Sequence, residues 1–141
     1  MNAKEYLMQI EICQNTIDEM EELKEEIREN MEHLRSIQTD REKINISKNN
    51  DKLLNQIVKM AEIEEEVDKS RLEYIQQKHR ITKEIITLGD AKLSRLLSLR
   101  YIKKLSLAEI ADEMGYDESY TRHLHQKALL LFTNEILNKK E

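Results

Sequence analysis

Proline is absent from this 141-residue sequence, and only two glycines interrupt it, Gly89 and Gly115. Proline breaks a helix interior at roughly 3 kcal/mol and glycine weakens one by about 1 kcal/mol. A chain this poor in both is free to run as long helices that stop where the glycines sit. Aromatic residues make up 4% of the chain against 36% charged residues, which argues against one thick globular core and suits long helices or coiled coils. The single cysteine, Cys13, excludes an internal disulfide, and no Cys/His cluster has zinc-ligand spacing. No apolar run approaches the roughly 20 residues of a membrane span, and the opening MNAKEYLMQI lacks a signal-peptide core. The expectation is a cytoplasmic chain that begins where the sequence begins, meets no membrane, and needs no metal or cofactor.

Charge is unevenly placed. Residues 1–88 carry 14 Lys and Arg against 20 Asp and Glu, a net of −6, whereas residues 89–141 carry 9 against 8, a net of +1. The acidity of the whole therefore belongs to the N-terminal part, and the C-terminal part must be judged as a partner for anions by itself.

From about residue 4 to residue 37, Ile10, Cys13, Ile17, Met20, Leu23, Ile27, Met31 and Leu34 recur at a mean spacing near 3.5, with Glu and Lys on the other faces. That is a coiled-coil seam, on a helix about 50 Å long. INISKNND (44–51) interrupts it with residues that favour turns and caps. A second seam runs through Leu53, Ile57, Met60, Val67, Tyr74, Ile81, Ile85 and Leu88, with Glu64, Arg71 and Lys78 at its intermediate positions. Two such helices joined by a polar loop fold back most simply as an antiparallel hairpin. So narrow a seam calls for a second copy or the C-terminal part to pack on. Gly89 supplies a left-handed stop and Asp90 a cap for the next helix, which divides the chain into 1–88 and 89–141.

Beyond Asp90, Leu93, Leu96, Leu97 and Tyr101 describe a short helix closed near Lys103, Lys104 and Leu105. Ser106-Leu-Ala-Glu109 is a capping box. Leu107, Ile110, Ala111 and Met114 then form one apolar face of a two-turn helix, Gly115 stops it, Asp117 caps, and a long helix begins at Glu118. Short helix, glycine turn and longer helix are the helix-turn-helix arrangement, with Ala111 small where the two helices cross. The expected fold class is therefore all-α: a long N-terminal helical hairpin or coiled coil followed by a C-terminal helix-turn-helix domain.

On the last helix Thr121, Leu124, Ala128, Leu131 and Phe132 fall inward. The opposite side carries Ser119, Arg122, His123 and Gln126, flanked by Glu118 and Lys127. Arg, Gln and Glu are side chains that hydrogen-bond base edges, and a recognition helix uses its first turns in this way. The candidate base contacts are Glu118, Ser119, Arg122, His123 and Gln126. Glu118 and Ser119, taken singly, fit a solvated helix face better than a base contact. Lys103, Lys104, Ser106 and Lys127 would suit phosphates. His123 and His125 stand two apart and point to different sides, which argues against a metal pair and for a packed His125.

The segment LLSLRYIKKLSLAEIADEMGYDESYTRHLHQKALLLF (96–132) resembles region four of bacterial sigma factors, the helix-turn-helix that reads the −35 promoter element. The agreement runs without gaps from Leu107 to Leu129 and departs at Thr121, where Val or Ile is usual. The chain as a whole is similar to phage- and prophage-encoded sigma-like regulators of Gram-positive bacteria, among them late-gene regulators of packaging and lysis genes. The resemblance implies a promoter-binding regulator rather than a complete sigma factor, because a charged coiled coil stands where polymerase binding and promoter melting would reside.

A helix-turn-helix domain with a net charge near +1 draws little non-specific attraction from DNA. Affinity would be raised by homo-oligomerisation, as a dimer first, or by contact with RNA polymerase at double-stranded promoter DNA. Leu130 and Leu137 point away from the inward face of the last helix and are expected to meet another subunit or the N-terminal hairpin. Catalysis has no constellation here: there is no glycine-rich phosphate loop, and the many carboxylates lie on solvated faces. Two other readings stay open. One is a small-terminase-like DNA packaging protein. The other is a coiled-coil interaction factor that holds a sigma factor or RNA polymerase without reading DNA.

Overall fold

A computed structural model describes residues 1–40 and 46–140. Among them the chain is all-α, with six helices: α1 (Ala3–Leu7), α2 (Gln9–Asp40), α3 (Ile46–Ile86), α4 (Ala91–Leu97), α5 (Leu107–Met114) and α6 (Glu118–Phe132). A π-helical turn, Ser98–Ile102, prolongs α4, and another, Thr133–Leu137, prolongs α6. The polar stretch expected to be a turn at 44–51 is helical from residue 46 onward, and its first two residues lie outside those described. Asn, Ser and Asp lower helix propensity by only a few tenths of a kcal/mol each, too little to keep residues 46–51 out of a helix whose periodicity continues from Leu53 onward.

Packing divides the chain into two compact units. One is Met1–Cys13 together with the chain from Tyr74 onward, and the other is Gln14–Glu73. The boundary read at residues 88/89 is a different division, since Ile81, Ile85 and Leu88 share one core with Leu96, Leu124 and Phe132.

The Gln14–Glu73 unit is two antiparallel helices. Arg71 pairs with Glu21, Lys24 Nζ lies 3.5 Å from Glu64, and Ser70 reaches Met20. Its inner positions follow a strict alternation of three and four residues: Ile17, Met20, Lys24, Ile27, Met31 and Leu34 on α2, and Leu53, Gln56, Met60, Ile63, Val67 and Ser70 on α3. The seam therefore differs from the one read from apolar residues alone. Leu23, Ile57, Glu64 and Arg71 are exposed, and Lys24, Gln56, Ile63 and Ser70 take the inner places beside them. One residue is 100° of helix, so choosing the apolar neighbour over the polar seam residue puts the side chain on the wrong face.

The other unit has a thicker core. Asp90 accepts from the Leu93 amide at 3.1 Å to start α4, after Gly89 has turned the chain at φ 80°. α4 buries Leu93, Leu96 and Leu97, and its π turn adds Leu99 and Tyr101. From the N-terminus, Tyr6 joins them, its hydroxyl 2.5 Å from Glu84 of α3 and its ring 5.7 Å from that of Phe132. Near the C-terminus Lys140 closes the same cluster, 2.9 Å from the Tyr6 hydroxyl and 2.8 Å from Glu84.

Candidate nucleic-acid interface

The helix-turn-helix is assembled by local chemistry. Ser106 Oγ accepts from the Glu109 amide at 3.1 Å and starts α5. Gly115 ends α5 at φ 74°, in the left-handed region that glycine enters without a Cβ penalty. Asp117 then accepts from the Tyr120 amide at 2.7 Å and starts α6. Ala111 is buried at the crossing. Thr121, where the sigma-like pattern has an aliphatic residue, is fully buried with its hydroxyl donating to the Asp117 carbonyl at 2.8 Å. The back-bond satisfies the hydroxyl, so the threonine fits the core without an orphaned donor.

Thr121, Leu124, Ala128 and Phe132 bury one side of α6. That leaves Glu118, Ser119, Arg122, His123 and Gln126 together on its exposed side. Arg122 lies 3.7 Å from Glu118 in an exposed i,i+4 pair. Such pairs are worth about 0.3–0.5 kcal/mol, whereas a bidentate arginine–guanine contact is worth about 1–3 kcal/mol. Glu118 therefore holds Arg122 only lightly.

Cations stand on both flanks of that face. On one side Tyr101 bonds His125 at 2.8 Å between its hydroxyl and Nε2, with the rings stacked 5.7 Å apart. Burial holds His125 below the ordinary histidine range, and Arg100 and Lys4 push the same way. The ring is thus neutral near pH 7. Beside this pair is a cavity of about 250 Å³ lined by Lys4, Met8, Glu11, Arg100, Tyr101 and Lys104. Lys104 adopts φ 61°, the left-handed helix-stop position that glycine usually holds. The Leu105 amide bonds back to the Leu99 carbonyl, and Arg100 Nη1 donates to the Leu105 carbonyl at 2.9 Å. On the other side Lys92 sits 5.3 Å from the ring centre of Tyr116 and 5.8 Å from that of Tyr120, and Lys127 is exposed two turns beyond Tyr120 along α6.

A family model, described as a protein of unknown function (DUF1492), matches residues 33–133. The chain belongs to that family. The DUF1492 match takes in α3 to α6 whole, and so includes every candidate base-contacting residue and Lys103, Lys104, Ser106 and Lys127. No curated protein and no solved structure matches the chain.

Sequence reading missed Lys4, Lys92 and Arg100 as members of this surface. Arg100 and Lys92 lie inside the DUF1492 match and Lys4 outside it. Lys4 comes from α1, and nothing in a linear pattern joins it to residues a hundred positions later. The two leucines expected to meet another subunit or the N-terminal hairpin part company. Leu130 is 62% exposed on the same side as Ser119, His123 and Gln126. Leu137 is half-buried against the unit's own core. The π turn after Phe132 explains it: bonds from i to i+5 widen the turn, so Leu137, five residues on, comes round to the face of Phe132. Among the described residues no group of three His, Cys, Asp or Glu is arranged to hold a metal ion, and no helix is long and apolar enough to cross a membrane.

Proposed function

We propose that this chain is a non-enzymatic, sequence-specific DNA-binding regulator of phage or prophage genes, acting in the cytoplasm and reading double-stranded promoter DNA with the helix that starts at Glu118. The observation that carries the reading is a single exposed face of α6 bearing Ser119, Arg122, His123 and Gln126 with cations on both flanks. A helix in the major groove has a phosphate strand on either side, and flanking lysines and arginines are what such a placement needs. The resemblance to sigma region four supports the same reading. Met1–Cys13 and residues 74–141 carry 13 Lys and Arg against 11 Asp and Glu, a net of +2. So modest a charge calls for a second contribution to affinity, from a homodimer or from RNA polymerase at the promoter.

The test is selection of random and genomic duplex DNA by the wild-type chain and by Arg122→Ala/Gln126→Ala at fixed salt, with and without RNA polymerase. Enrichment of one motif by the wild type alone supports base readout. Equal enrichment by both proteins, or none in either condition, overturns it.

The net charge of −7 on residues 14–73 favours one other reading, a coiled-coil factor that holds a sigma factor or polymerase through basic surfaces without touching DNA. Under that reading polymerase capture survives Arg122→Ala unchanged and is lost on neutralising the Glu-rich runs of α2 and α3.

A further inference from the structure

α3 carries a second apolar stripe that its hairpin leaves uncovered. Leu54, Ile57, Val58, Leu72, Ile75 and Ile86 are 42–70% exposed. At 100° per residue they fall within an arc of roughly 100°. All but Ile57 fall in one heptad register, 54, 58, 61, 65, 68, 72, 75, 79, 82, 86, which alternates steps of four and three, and Ile57 flanks it. A stripe at 3.5-residue spacing along about 48 Å is complementary to another long helix lying beside it, not to a compact ligand.

The charges along α3 say which helix. Residues 54–68 carry Lys59 against Glu62, Glu64, Glu65, Glu66 and Asp68, whereas residues 69–86 carry five cations against Glu73 and Glu84. We propose that α3 pairs antiparallel with α3 of a second copy of this chain, the acidic half of each stripe lying on the basic half of the other. The register that sets Leu72 against Ile75 of the second copy also sets Asp68 against its His79 and Ala61, the small residue, against its Ile86, so the contact runs from Ala61 to Ile86 and Leu54 and Val58 lie beyond the end of the second copy's α3. Glu62 then comes beside Lys83 of the second copy. A parallel pair would face Glu65 with Glu65 and Asp68 with Asp68, like charges at the centre of the contact. Arg71, whose own-chain partner is Glu21, is already neutralised where the two-fold axis passes. The pairing stands whether or not α6 reads DNA.

Sedimentation equilibrium of the full chain at micromolar concentration tests it. The wild type is expected as a dimer. Leu72→Glu and Ile75→Glu should each weaken it at least about tenfold with helix content unchanged, because both side chains are exposed within the chain. A monomeric wild type, or two variants that dimerise like it, overturns the proposal. Orientation is read in a Cys13→Ser background. A mixture of Ala61→Cys and Ile86→Cys chains should form a disulfide between unlike chains, and neither variant should link to itself. Self-linking of each variant alone would show parallel pairing and overturn the assignment.

Discussion

The two compact units are built from the same two long helices and differ in what else packs on them. In Gln14–Glu73 the fully buried apolar residues are few, Ile17, Ile27 and Val67 among them, and half of the seam is polar or half-exposed. In the other unit α1, α4, α5 and α6 surround the ends of α2 and α3, and Leu7, Ile10, Ile81, Ile85, Leu96 and Phe132 are all at or near zero exposure. A heptad pattern alone thus yields a thin, charge-laced pair of helices. The same pattern capped by a helix-turn-helix yields a thicker core with the exposed row of α6 on its surface.

The largest expected effect breaks that contrast directly. Phe132→Ala removes a fully buried ring between Tyr6 and the helix-turn-helix and should cost about 3–5 kcal/mol. Ile17→Ala, in the thinner unit, should lie at the low end of the roughly 2–5 kcal/mol range for such truncations. Urea melts followed by circular dichroism would check the pair. Equal costs would mean that the two-helix seam is packed as tightly as the core.

Next in size are the bases. Arg122→Ala and Gln126→Ala should each lose about 1–3 kcal/mol of discrimination with no change in melting temperature, since both side chains are exposed. Fluorescence anisotropy on an enriched duplex against a scrambled one would measure it. A matching loss on both duplexes would point to phosphate contact instead.

Lys104 separates stability from binding. Lys104→Gly relieves a left-handed lysine and should stabilise the fold by about 1 kcal/mol. The same change should weaken DNA binding and lower the slope of log affinity against log salt by about one. Gly115→Ala, at φ 74° with open space around a new Cβ, should destabilise by about 1 kcal/mol through backbone strain alone.

The smallest effect is the dependence on pH. His125 has its folded pKa depressed by burial and by Arg100 and Lys4. Its neutral form therefore contributes stability that is present above the unfolded value of about 6.5 and is lost as pH falls toward the folded one. Between pH 7 and 5 the melting temperature should fall less steeply in His125→Gln than in the wild type. An unchanged slope would remove His125 as its source.

Much of this was legible in the sequence because it is local. Gly89 and Gly115 as stops and Asp90, Ser106 and Asp117 as caps each depend on residues within four positions. The exposed row from Glu118 to Gln126 followed from the inward row. What escaped was either non-local or carried by polar residues in apolar places. Lys24, Gln56 and Ser70 hold seam positions that a search for apolar residues passes over. Leu137 was moved by a π turn that no 3.6-residue pattern contains. Lys4 reaches Arg100 and Lys104 only through the tertiary fold.

The central claim is that α6, not the hairpin, meets DNA. Titrating an enriched duplex into isotope-labelled protein and following backbone amide shifts tests it most directly. The account predicts the largest shifts at Glu118–Lys127 and Lys103–Ser106, with residues 14–73 unmoved apart from general broadening. Shifts confined to residues 14–73, with α6 silent, would contradict it.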